Sequence, residues 1–132
     1  MPGAEVVLDT NVAIAILNGR NDAARWVLDF EEILLSVPVL GELRYGALNS
    51  ARALENLRRI DELTSRCRVL GLHQETSDVY ARLRLDLKHK AKPIPENDLW
   101  IAAVCVEHEH SLATADPHFN AVSRLKVVAP PV

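Results

Sequence analysis

Four acidic residues stand just past a strand or near the start of a helix: Asp9 after Val6-Val7-Leu8, Glu42 one turn into the helix after Ile33-Leu34-Leu35-Ser36-Val37, Asp98 opening an apolar helix, and Asp116 after Ser111-Leu112-Ala113-Thr114. Singly, each has an ordinary role. Asp9 and Asp98 suit helix N-caps, Glu42 a solvated helix surface, and Asp116 before Pro117 a turn. Jointly, they pose an electrostatic problem, because carboxylates gathered in one cleft repel and remain ionised only if a cation neutralises them. No Cys or His accompanies them in ligand spacing: His73, His89, His108, His110 and His118 make no metal-binding pattern, and His108 with His110 reads as a polar helix end. The ion that fits oxygen donors alone is Mg²⁺ or Mn²⁺. Such an ion lowers the pKa of a water and offsets charge on phosphoryl oxygens, which is the equipment for phosphodiester cleavage. Asn11 and Thr114 fall at the same edge, where an amide can orient a carboxylate and a hydroxyl can hold a water or the Asp116 side chain. Helix capping is an equally good use of Asn11.

The elements that must position these groups follow from periodicity. Short apolar runs at 6–8, 33–37, 68–70, 111–114 and 126–128 read as strands. Helical spacing recurs from Asp9-Thr10-Asn11 to Leu17, from Asn21-Asp22 to about Glu31, over 39–47, from Ser50 through Leu63, and over about 75–90; a short helical turn covers 117–122. Trp26 and Phe30 lie four apart on one face of the second helix. The segment 99–107 is apolar nearly all round and belongs in the interior. Alternating strands and helices predict an α/β fold: a mainly parallel sheet of about five strands with helices on both faces. In such sheets ligands bind beyond the carboxyl ends of the strands, where all four acids fall.

At 132 residues and 48% hydrophobic composition the chain can bury one core, so a single domain over 1–132 is expected. Cys67 and Cys105 lie in apolar stretches without ligand spacing and read as reduced core residues. A basic leader is lacking and the longest apolar run, 99–106, is far short of a bilayer span, so a soluble, cytoplasmic protein is expected. A net charge of −3 argues against coating nucleic acid by bulk electrostatics, so any such contact must be local.

In order and spacing, four blocks resemble the signatures of PIN domains: Val7-Leu8-Asp9-Thr10-Asn11; Val37-Pro38-Val39-Leu40-Gly41-Glu42-Leu43-Arg44-Tyr45-Gly46-Ala47; Ile94-Pro95-Glu96-Asn97-Asp98-Leu99-Trp100-Ile101-Ala102-Ala103; and Ala113-Thr114-Ala115-Asp116-Pro117-His118-Phe119. The likeness is nearest to VapC-type toxins and spans essentially the whole chain. It implies a parallel sheet between helices, an acidic Mg²⁺ or Mn²⁺ site, and endonucleolytic cleavage of RNA to 5′-phosphate and 3′-hydroxyl ends. It also implies a homodimer silenced by a cognate antitoxin. The family's metal-binding, catalytic acids fall on Asp9, Glu42, Asp98 and Asp116, the last being the loosest match, with Asn11 and Thr114 as polar supports. The basic run from Arg82 holds the candidate RNA contacts, Lys88, Lys90 and Lys92, although cations at a helix end also complement the macrodipole. Trp26 and Phe30 suit either an apolar groove for the antitoxin or the core.

Two rival phosphoryl-transfer classes lose their central residue. A haloacid-dehalogenase-like phosphatase needs a second Asp two residues after the first, where Asn11 stands; a receiver domain needs an Asp ending its third strand, which here runs into Gly71-Leu72-His73. The other alternative is a PIN-fold RNA-binding or regulatory module without catalysis, against which the presence of all four acids weighs.

Overall fold

The computed structural model describes residues 5–131. Residues 1–4, where a leader would start, lie outside the described residues, as does residue 132. Five strands form one wholly parallel sheet in the order β3-β2-β1-β4-β5: β1 (Glu5–Leu8), β2 (Glu32–Ser36), β3 (Arg68–Leu70), β4 (Ser111–Ala113) and β5 (Val127–Val128). Helices α1 (Thr10–Leu17) and α2 (Asn21–Val27) link β1 to β2, α3 (Val37–Leu48) and α4 (Ala53–Thr64) link β2 to β3, and α5 (Gln74–His89) and α6 (Glu96–His108) link β3 to β4. A 3₁₀ turn, Pro117–Ala121, precedes β5. The chain builds outward from β1 through β2 to β3, then crosses back to lay β4 on the other side of β1. Right-handed crossovers therefore put α1–α4 on one face and α5–α6 on the other, with the change of direction between β1 and β4.

Strands buried on both faces need continuous apolar runs, and Val6, Val7, Leu8, Leu34, Leu35 and Leu112 are fully buried. Helix α6 is the interior helix expected from its composition: Ile101, Ala102, Ala103, Val104 and Cys105 have no exposed surface. Both cysteines are free thiols, and burial pushes Cys105 well up and Cys67 to about 11, away from the thiolate form. Among the described residues no helix is long and apolar enough to cross a membrane.

Several boundaries differ from the sequence reading. Strand β2 stops at Ser36, and Val37-Pro38 form the first turn of α3, because proline's fixed φ suits a helix start and the Ser36 hydroxyl accepts from the Val39 amide. Helix α2 ends at Val27, before Phe30, yet the Trp26 and Phe30 rings still meet edge to face at 5.2 Å and pack on the core. Ser50 does not open α4; its hydroxyl donates to Ala47 O and accepts from Asn56, closing the α3–α4 turn. Helix α6 begins at Glu96, so Asp98 is its third residue and not its cap.

Candidate active site

The sheet register decides which side chains meet. Val7 pairs with Leu112 and Leu8 with Ala113, so the next residues out, Asp9 and Thr114, leave the sheet side by side at the switch point. The Asp9 amide donates to Ala113 O at 2.9 Å and completes that step. Asp9 has the extended backbone of an N-cap, but its side chain makes no cap bond. Its Oδ2 instead accepts from Thr114 Oγ1 at 2.6 Å and from Asn11 Nδ2 at 3.1 Å. Asn11 lies inside α1, and its Oδ1 accepts from the Ala115 amide at 3.3 Å. The Thr114 hydroxyl also accepts from the Asp116 amide at 3.0 Å, so one buried hydroxyl ties Asp9 to the loop carrying Asp116.

Glu42 lies in the second turn of α3 and reaches back to α1, where its Oε1 accepts from Thr10 Oγ1 at 2.5 Å. Asp98, from α6, and Asp116 face each other across His118, whose Nδ1 lies 3.5 Å from Asp98 Oδ2 and 3.1 Å from Asp116 Oδ1. Asp116 also caps the 3₁₀ turn by accepting from the His118 amide at 2.9 Å, so its ordinary turn-forming role is real. Ligand atoms of Asp98, Asp116 and His118 all lie within 4.8 Å of one another.

The four acids share one electrostatic environment. Burial raises Asp9 above the usual carboxylate range, the Thr114 hydroxyl and a backbone amide at Thr10 pull it back, and the charges of Glu42 and Asp116 push it up again. Asp98 is raised by burial first, then by the charges of Asp9 and Asp116, with Glu42 adding less than the His118 contact relieves. An array of this kind destabilises its own ionised form, which is the condition that a hard divalent cation relieves.

The three candidate lysines fare differently. Lys90 Nζ is engaged by Asp86 at 3.0 Å, Ala121 O at 3.1 Å and Ser123 Oγ at 3.4 Å. Lys92 lines a hollow with His118, and Lys88 lines another with Arg84 and Glu96. None lies among the carboxylates. On the far side, a hollow of about 250 Å³ between α1, α3 and α4 runs up to Glu42 over Ile14, Leu17, Leu43 and Ile60, with Arg59 at its edge.

Sequence does not single out Thr10, and it sets His118 aside with the other histidines for want of ligand spacing, whereas the fold brings the His118 imidazole onto Asp98 and Asp116. For Thr10 the only local signal is a hydroxyl one residue after Asp9, and its partner lies 32 positions away. For His118 a signal exists: in Asp116-Pro117-His118 the proline starts a tight turn that folds the imidazole back onto the preceding carboxylate.

The profile of the PIN domain family matches residues 6–125. Ribonuclease VapC4 of Mycobacterium tuberculosis is 34% identical over 91% of this chain and 92% of its own length. The structure of VapBC-5 from Mycobacterium tuberculosis, a member of the VapBC family of toxin–antitoxin systems, superposes with a TM-score of 0.76 at 29% identity, over 98% of this chain and 99% of that one. VapBC2 from Rickettsia felis, solved with a promoter DNA fragment, superposes with a TM-score of 0.89 over 96% of this chain and 99% of that one; at 24% identity the likeness is one of fold.

Proposed function

The chain belongs to the PIN domain family, among its VapC-type members, and from that premise we propose that it is a divalent-metal-dependent endoribonuclease, the toxin of a toxin–antitoxin pair. The observation that carries this reading is the meeting of Asp98, from α6, and Asp116, at the cap of the 3₁₀ turn, whose ligand atoms lie within 4.8 Å of each other, with Asp9 just past β1 and Glu42 on α3 near enough for their charges to act on the same site. The donor set fits Mg²⁺ or Mn²⁺: carboxylate oxygens dominate, neutral hydroxyls and an amide steady them, and His118 adds the single imidazole. Asp9, Glu42, Asp98 and Asp116 would hold the ion. Bound there, it supplies Lewis acidity that eases ionisation of the attacking water and offsets charge on the phosphoryl oxygens.

The rest of the chemistry lies in the protein's own groups. Thr114 and Asn11 both donate to Asp9 Oδ2 and so fix the rotation of that carboxylate, as Thr10 does for Glu42. His118 Nδ1 lies against both Asp98 and Asp116 and so spans the two carboxylates. The expected products are 5′-phosphate and 3′-hydroxyl ends.

A cognate antitoxin belongs to the same reading, supported by the toxin–antitoxin membership of the VapBC-5 relative. The apolar hollow ending at Glu42 offers such a partner a seat beside the carboxylates. A homodimer belongs to the same reading, and the exposed Tyr45, Leu48 and Leu54 on α3 and α4 give it an apolar surface to cover.

The test is direct. Antitoxin-free protein cleaves RNA with Mg²⁺ or Mn²⁺ and stops on chelation, while Asp9→Asn and Asp98→Asn fold but do not cleave. Unchanged cleavage by those folded variants would refute the reading, and a folded wild type that binds RNA without cutting it would favour a non-catalytic module.

A further inference from the structure

The hollow lined by His118 adjoins the acidic cleft, because the imidazole of that same residue touches Asp98 and Asp116. One wall is Lys92, Pro93 and Ile94, in the connection between α5 and α6; the other is Pro117, His118 and Asn120, in the 3₁₀ turn. Its volume, about 300 Å³, is at the small end of ligand clefts.

The two walls are held in place. Helix α5 ends in a Schellman turn: the Lys92 amide donates to Leu87 O and the Ala91 amide to Lys88 O, each at 3.0 Å, with Ala91 left-handed at φ 56°. Lys90 then bridges from α5 to Ala121 O and Ser123 Oγ, tying the helix end to the opposite wall. With Lys90 committed to the fold and Lys88 in the neighbouring hollow, Lys92 is the lysine at this notch, and among the described residues it forms no ion pair.

The chemistry of the notch is that of a single nucleotide. Prolines and Ile94 give a base an apolar surface, the Asn120 amide can meet a base edge, and Lys92, a lining residue without an ion pair among the described residues, suits a phosphate. In a chain of net charge −3, a cation in a hollow that shares His118 with the acidic cleft also counters the repulsion that RNA meets on approach. We propose that this notch seats the nucleotide next to the scissile phosphate of single-stranded RNA, with Lys92 contacting that nucleotide's phosphate. The inference rests on the nuclease reading above.

The experiment compares Lys92→Ala with Lys126→Ala, which removes the same charge at the entry to β5, the opposite edge of the sheet from the acids. A fluorescein-labelled ten-nucleotide RNA of mixed sequence is bound to each protein in Ca²⁺ across a salt series and cleaved in Mn²⁺. Lys92→Ala weakens binding and raises KM roughly fivefold with kcat within about twofold. Its slope of log Kd against log salt falls by about 0.7, the share of one single-strand phosphate, and Lys126→Ala changes neither. An abasic nucleotide beside the cleavage point costs the wild type affinity as well. Equal behaviour of the two lysine variants overturns the notch and leaves the nuclease standing. A wild type that binds RNA with the Lys92 dependence but does not cleave overturns the nuclease alone, and one that neither binds nor cleaves overturns both.

Discussion

Replacing Asp98 by asparagine separates the stability of the site from its activity, because the two respond in opposite directions. Ligand atoms of Asp98 and Asp116 lie no more than 4.8 Å apart, where two unit charges repel by about 3.5 kcal/mol at an effective dielectric of about 20 and about 1 kcal/mol in water. The side chains are 16% and 28% exposed, so the larger figure is the nearer one. Two losses oppose the relief. The contact with half-exposed His118 is worth at most about 1 kcal/mol, and a negative charge in the first turn of α6 another 0.3–1 kcal/mol or so. Metal-free Asp98→Asn is therefore more stable than wild type by about 1–2 kcal/mol, or roughly 3–10 °C in Tm for a chain of this length. Adding Mn²⁺ reverses the order. A hundredfold excess over Kd stabilises the wild type by about 2.7 kcal/mol, whereas the variant has lost a ligand and gains less. Cleavage falls by at least about a hundredfold. Calorimetry in chelator and through a Mn²⁺ titration, beside an RNA cleavage assay, reads all three. A variant less stable than wild type without metal, or stabilised as strongly with it, refutes the placement of Asp98 in a self-repelling cation site.

The same argument sets a pH dependence. Asp9 and Asp98 are raised in the folded state, so they take up protons on folding, and the metal-free protein gains stability as pH falls from neutral toward the range just above 3.8; denaturant unfolding in chelator at pH 7 and pH 5 should show it, and a fall in stability over that interval contradicts it. Thr114→Val keeps the shape but removes the hydroxyl shared by Asp9, Asn11 and Asp116, which should lower Mn²⁺ affinity and cleavage roughly 10–100-fold, with Thr114→Ser restoring both. Ala91 and Glu109 are left-handed at φ 56° and 57° at helix ends, so Ala91→Gly and Glu109→Gly should each stabilise the protein by about 0.5–1 kcal/mol in urea unfolding; equal midpoints would show that no strain is held there. Lys90→Ala should lower stability by about 1 kcal/mol in the same assay, because it frees the helix end from Ala121 and Ser123.

Most of the fold was legible because it is written in local periodicity. The runs around Val6-Val7-Leu8 and Leu34-Leu35 are apolar at every position because both faces of a parallel strand are covered, and the stretch Ile101 to Cys105 is apolar all round because its helix is enclosed. Boundaries were less legible where one residue serves two elements. Pro38 ends a strand by the same property that lets it begin a helix, and Ser50 closes one turn with the hydroxyl that could have opened the next.

At the site, the kinds of group and their order can be read along the chain: four acids, each just past a strand or near the start of a helix, with an amide and a hydroxyl beside them. What those groups do is settled by the folded arrangement. Asp9 could have capped α1, and it faces Thr114 instead because the β1–β4 register sets residues 105 positions apart side by side. Thr10 acquires a partner only once α3 lies against α1, and Lys90 becomes a tie between two walls only when α5 ends against the 3₁₀ turn. Periodicity is a property of neighbours along the chain and can be read there. A hydrogen bond or a repulsion between distant segments depends on distances of a few ångströms, which are fixed only when the sheet order and the helix packing close together.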